Sequence, residues 1–166
     1  MNPIRRTAYG CLSALLLLVA PQIAFAQQDE VPWLYENSDV PVDRAWTFGE
    51  LDNGLRYAVR RNGVPPEQVS IRIRVDAGSL NESDEELGYA HLLEHLLFRQ
   101  SRYLGDGEAI ARWQRLGASF GSDTNAETTT TQTVYKLDLP NATPASLEES
   151  FKLLSGMVTA PKLSAA

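Results

Sequence analysis

The sequence predicts an α+β fold: a mixed, largely antiparallel sheet with helices packed on one face. Three observations carry this expectation. Short strand patterns come before any helical one, an Asn-Gly turn joins the first two, and the later strand pattern mixes with helices without the strict alternation of a parallel sheet.

The elements follow in chain order. Residues 46–50 and 55–61 are strand-like runs flanking Asp52-Asn53-Gly54, and Asn-Gly favours a hairpin turn because both residues tolerate positive φ. Val69, Ile71, Ile73 and Val75 alternate with Ser70, Arg72 and Arg74, the period of a half-buried strand. Ser83 stands three residues before Glu86 in capping-box spacing, with Glu82, Asp84 and Glu85 crowding the positive end of the macrodipole. A helix is therefore expected from Ser83 to about Phe98. Gly88 would fall inside it at a cost of about 1 kcal/mol, which suggests close backbone packing. A second helix fits residues 107–116, with Asp106 as cap and Gly117 as stop. Thr129, Thr131, Thr133, Tyr135 and Leu137 alternate with Thr130, Gln132, Val134 and Lys136 as one β-branched strand, ended by Pro140. A third helix fits residues 144–158: Thr143 caps it, Pro144 takes its first position, and Leu147, Phe151, Leu154 and Val158 share a face. No internal repeat is present.

The first 26 residues read as a secretory signal. Arg5 and Arg6 form a basic start, Cys11 to Ala20 is an apolar run too short to span a bilayer, and Ala24-Phe25-Ala26 is a small-x-small cleavage pattern. Residues 27–45 are polar and aperiodic, an extended lead-in. Removing 26 of the 166 residues leaves 140 and takes away two Arg and no acid, so the charge of −6 becomes −8. The only Cys leaves with the signal. Such a domain must be held by its core or by a metal, and its acidity argues against a nucleic-acid partner. No second apolar run reaches spanning length, so no stable membrane anchor is expected after signal removal. Export to a periplasm fits best, with secretion as the alternative.

Chemistry concentrates at one place. The chain has two histidines, His91 and His95, with Glu94 between them in HLLEH. At about 100° per residue, Glu94 lies about 60° to one side of His91 and His95 about 40° to the other, while Leu92, Leu93, Leu96 and Leu97 fall on the opposite side. One face can pack on a sheet while the other looks into a cleft. Two imidazoles one turn apart can direct nitrogens at a single ion, for which zinc is the usual occupant, and a neighbouring carboxylate can take a proton from water. The alternatives are a solvated face with two ordinary histidines, or a structural metal site, which would normally need four protein ligands.

H-x-x-E-H is the inverted form of the common zinc-protease motif. With it, LDNGLRYAVRRN, VDAGSLNE, ELGYAHLLEHLLF and GASFGSDTNAETTTTQTVYKLDLP make the stretch from about Trp46 to Pro140 resemble the pitrilysin/insulinase family of zinc metallopeptidases. The resemblance implies a metalloendopeptidase that hydrolyses peptide bonds of peptides or unfolded polypeptides, with Zn2+ bound by His91 and His95 and water activated by Glu94. It implies that Asn125 and Ala126 bind substrate on an edge strand, where main-chain hydrogen bonds give affinity without strict sequence reading. Read from the residues alone, Asn125 is equally a turn residue. Glu82 matches a family position at the helix entrance, where its role at the dipole suffices to explain it.

The family also uses a third zinc ligand, a Glu from a later helix, which the resemblance places beyond Ala166. None of Asp106, Glu108, Asp123, Glu127, Asp138, Glu148 or Glu149 matches it. Family members build each half from two related domains. The expectation for residues 46–166 is thus a partial N-terminal catalytic domain, incomplete at its C-terminus and weakly active or inactive alone, with a second homologous domain or subunit as partner. The alternative is a non-catalytic substrate-binding or partner subunit. The intact HLLEH argues against it, because binding alone needs no base.

Overall fold

The computed structural model describes residues 32–33 and 35–163, so the signal read at residues 1–26 and part of the lead-in lie outside the described residues. The chain divides into two units at Arg44 and Ala45. In the first, the described residues form turns, and Trp33 stacks on Tyr35 at 6.0 Å.

The second unit begins with a hairpin of β1 (Trp46–Glu50) and β2 (Arg56–Arg60), paired antiparallel with Trp46 opposite Arg60. The Asn-Gly expectation holds: Gly54 takes φ +82°, its N–H donates to the Leu51 carbonyl, and Asn53 Oδ1 accepts from Leu55 N–H. A separate three-stranded antiparallel sheet has the order β3 (Val69–Val75), β5 (Thr133–Leu139), β4 (Thr124–Thr128). β5 is central, and its alternate residues Thr133, Tyr135, Leu137 and Leu139 are all buried.

The helices α1 (Tyr89–Leu97), α2 (Ala109–Arg115) and α3 (Pro144–Thr159) complete the unit. Ala109 and Trp113 of α2 and Leu153, Leu154 and Met157 of α3 form one apolar cluster with Leu137, against which Ile71 and Ile73 of β3 also pack. Because Ile71 pairs with Leu137 and Ile73 with Tyr135, all of these side chains leave the same side of the sheet. The other side is polar. There Arg72 donates to Asp138 at 2.8 Å and Lys136 reaches the same carboxylate at 3.0 Å.

Burial penalises the charged form of Asp138, but hydrogen bonds from Arg72, Ser70 and Lys136 outweigh it and hold the carboxyl at about 2. A depressed folded pKa contributes stability that is present above the ordinary carboxylate range and lost as pH falls through the folded value. Asp138→Asn is expected to lower stability by about 1 kcal/mol at pH 7, solvent screening included, with the difference vanishing near pH 2 in denaturant titrations.

Four expectations shift. The strand predicted from Thr129 starts only at Thr133: Thr129 N–H donates to the Gln132 carbonyl and closes a tight turn over 129–132, and β4 occupies the five residues before it. Asp106 does not cap α2; its carboxylate pairs with Arg99 at 3.1 Å, and the helix starts at Ala109. In α3 the Thr143 cap and Pro144 start are as expected, but the buried stripe is Ser150, Leu153, Leu154 and Met157, and Phe151 is 54% exposed. Ser150 can be buried because its hydroxyl donates to the Ser146 carbonyl of its own helix. The fourth concerns α1.

Candidate active site

The helix expected from Ser83 begins six residues later, at Tyr89. The Ser83–Glu86 pairing does form, with Ser83 Oγ donating to Glu86 at 2.9 Å, but it closes only one turn. Gly88 then takes φ +92°, a left-handed conformation that L side chains rarely adopt, so it precedes the helix and does not sit inside it. No neighbour lies within 4 Å of where its Cβ would be, so backbone conformation, and not close packing, requires glycine there.

The cap comes from Glu82. Its two carboxylate oxygens each accept a backbone N–H, from Ala90 and Gly88, both at 2.7 Å. These bonds, Ala90's first, hold the Glu82 carboxyl below its ordinary value. The contribution is therefore present above the ordinary carboxylate range and lost as pH falls through the depressed value. Glu82→Gln leaves one oxygen for two donors, so faster amide exchange at Gly88 and Ala90 and weaker metal uptake at the adjoining helix are expected, the latter read by titration calorimetry.

On α1, the Nε2 atoms of His91 and His95 stand 3.1 Å apart, with ring centroids 4.7 Å apart, and both residues are exposed. Two nitrogens bound to one tetrahedral zinc at about 2.0–2.1 Å stand about 3.3 Å from each other, so the imidazole pair fits a shared ion. Among the described residues no group of three or more His, Cys, Asp or Glu is placed to hold a metal ion. The pair offers two ligands.

Glu94 is different in setting. It is 6% exposed and accepts a hydrogen bond from Thr128 Oγ1 at 2.7 Å, across 34 residues of sequence. Leu97, one turn on, is buried, whereas Leu92 and Leu93 are 53% and 42% exposed. The packed stripe of α1 therefore runs through Glu94 and Leu97, against β4 and β5, and not through the whole leucine face. Ala90, Leu93 and Leu97 border an apolar cleft of about 260 Å³ with Val75, Tyr135 and Val158. A second, more polar cleft of about 470 Å³ opens beside His91, lined by Ser79, Glu82, Leu87 and Thr128 to Thr130.

Tyr135 sits behind this arrangement. Burial, and then the negative charge of Glu94, push its phenol up to about 12, so it stays protonated at neutral pH.

Asn125 and Ala126 lie on β4, which is the edge strand of its sheet. Thr129 bonds to Gln132 at the turn and Asp138 N–H donates to the Asp123 carbonyl, so the alternation of an antiparallel ladder turns the backbone of Asn125 and Glu127 towards β5 and that of Ala126 towards the open edge. The side chains divide differently. Thr124, Ala126 and Thr128 share the helix side, and Asn125 and Glu127 face the other and are exposed. Asn125 Oδ1 reaches round to accept from Ala126 N–H at 2.9 Å, covering the one donor that the edge presents there. The turn after β4 is fixed by Ser79 and Leu80, whose N–H groups donate to the carbonyls of Thr129 and Thr130; a Cβ on Gly78 would strike the Thr129 carbonyl oxygen.

Sequence reasoning missed Thr128 and Tyr135. Thr128 is one of a run of threonines in ETTTTQT, and only the position of the turn, which decides which of them face α1, singles it out.

The described residues thus bring together a buried carboxylate, two converging imidazoles on the same helix, and a strand with one open edge. Residues 57–166 match the Insulinase (Peptidase family M16) family, and the chain belongs to that family. It is 36% identical over 143 residues to the probable zinc protease PqqL of Haemophilus influenzae, covering 86% of this chain and 15% of that protein. It is 35% identical over 116 residues to the probable zinc protease PqqL of Escherichia coli, covering 70% of this chain and 12% of that protein. The crystal structure of the first half of the periplasmic protease PqqL from Escherichia coli superposes with a TM-score of 0.72 at 34% identity, over 75% of this chain and 27% of that one. The chain thus spans about a seventh of the first of these relatives or less. The α+β class with helices on one face accords with that neighbour. No helix among the described residues is long and apolar enough to cross a membrane.

Proposed function

We propose that this chain carries the active-site segment of an exported zinc metalloendopeptidase that acts on peptides or unfolded polypeptides. One observation carries the reading: a buried glutamate, held by Thr128, on the same helix as two imidazole nitrogens that converge at 3.1 Å, that helix packing on the face of β4 and β5, with the outer edge of β4 open. His91 and His95 hold zinc, and the third ligand comes from outside these 166 residues, for which the relatives' greater length leaves room. Zinc, when bound, supplies the Lewis acidity that activates water and polarises the scissile carbonyl.

The chain's own groups do the rest. Glu94 accepts the proton of the attacking water and can return it to the departing amine. Its burial keeps it aimed and excludes bulk water from one side. The Ala126 N–H and carbonyl at the open edge bind the backbone of an extended substrate, whose carbonyl displaces the Asn125 oxygen, so that affinity depends little on side-chain identity. A second homologous domain would close over the bound strand, in keeping with a neighbour that is one half of a larger protease. Export accords with the periplasmic neighbour.

The complete peptidase is expected to cleave an unfolded polypeptide only with zinc, and the 166-residue stretch alone, with two ligands, to cleave little. Cleavage undiminished by a chelator would sink the proposal.

A further inference from the structure

We infer that Thr128 is a positioning residue for Glu94, an assignment that rests on the reading of Glu94 as the base. The proton inventory makes the case. Thr133 Oγ1 spends its only proton on the Ala77 carbonyl at 3.0 Å, so it can offer its neighbour Thr128, 3.3 Å away, only a lone pair. Thr128 has one proton, and the 2.7 Å bond places it on Glu94 Oε2. That bond fixes the carboxylate's rotation and leaves Oε1 for the reacting proton. A hydroxyl donor to a charged acceptor in a buried setting is among the stronger single hydrogen bonds a side chain can make.

The support behind Thr128 is rigid. Its backbone pairs with Thr133, the following turn is tied to Ser79 and Leu80, and Thr133 is anchored to Ala77 on the far side. Strand β4 therefore does two things at once: its open edge presents Ala126 to substrate, and its next inward-facing side chain aims the base. Substrate register and base orientation are set by the same five residues.

Thr128→Val keeps the shape and removes the hydroxyl; Thr128→Ser keeps the hydroxyl. In the complete zinc-loaded peptidase, Thr128→Val is expected to lower kcat by about 10- to 100-fold, the range for removing a group that orients a reacting one, with KM and zinc affinity within about twofold. Thr128→Ser should restore kcat to within about threefold. In the zinc-free complete peptidase, the Glu94 side-chain carboxyl carbon, followed by NMR, should shift in Thr128→Val and return in Thr128→Ser. Wild-type kcat in Thr128→Val, equal impairment in both variants, or an unmoved Glu94 carbon would overturn the inference. Glu94→Gln run in parallel separates the two ideas: full activity there defeats the base assignment itself, whereas its loss together with an unaffected Thr128→Val defeats only the positioning role.

Discussion

Glu94→Gln is expected to lower peptide hydrolysis by about 10²- to 10⁴-fold, the span that a positioned general base contributes, while zinc affinity changes by no more than about threefold. Glutamine has the same shape and still offers an oxygen to Thr128, so the α1–β4 contact survives. What it lacks is basicity. The imidazoles of His91 and His95 keep their 3.1 Å convergence because nothing in that geometry depends on the Glu94 charge. Steady-state kinetics on the complete peptidase, beside calorimetric zinc titration of the same variant, checks both halves. Parallel loss of activity and of zinc binding would show that Glu94 serves the metal site and not the proton transfer.

Trp113→Ala is expected to destabilise the second unit by about 3–5 kcal/mol, the usual cost of emptying a large aromatic site. Trp113 is 1% exposed and belongs to the cluster that joins α2, α3 and β5, so the cavity would open where three elements meet. Against a typical total of about 5–15 kcal/mol that loss leaves little. The indole N–H has no hydrogen-bond partner among the described residues, so Trp113→Phe removes volume but no bond and should cost clearly less. Urea denaturation of the two variants reads the difference. Equal costs would mean that the indole nitrogen holds the residue in place.

Much of this was legible in the sequence, and the reasons differ by element. Strand β3 is an alternation of β-branched and polar residues with a single solution, and it appears where the pattern put it. The Thr143 cap with Pro144 fixed the start of α3 for a local reason, since both act within one turn. The start of α1 was misplaced because the same local chemistry is ambiguous: Ser83 and Glu86 do pair, but a cap from Glu82 six residues before Gly88, across a left-handed glycine, has no fixed sequence spacing. The histidine pair was legible because i,i+4 spacing on a helix is itself a contact. Thr128 was not, because its role depends on which residue begins a turn and on a partner 34 positions away. Phe151 misled for a similar reason. Helical periodicity says which residues share a face, but the side that small, self-satisfied Ser150 and Gly156 turn inward is decided by what lies opposite: Gly156 is so close to Tyr103 that a Cβ would strike its ring.

The proposed chemistry depends on a metal ion shared by His91 and His95. Calorimetric titration of Zn2+ into the 166-residue chain, the His91→Gln and His95→Gln variants and Glu94→Gln tests it most directly. One weakly held ion per chain is expected, lost when either histidine is replaced and kept in Glu94→Gln. Uptake unchanged in both histidine variants would contradict it.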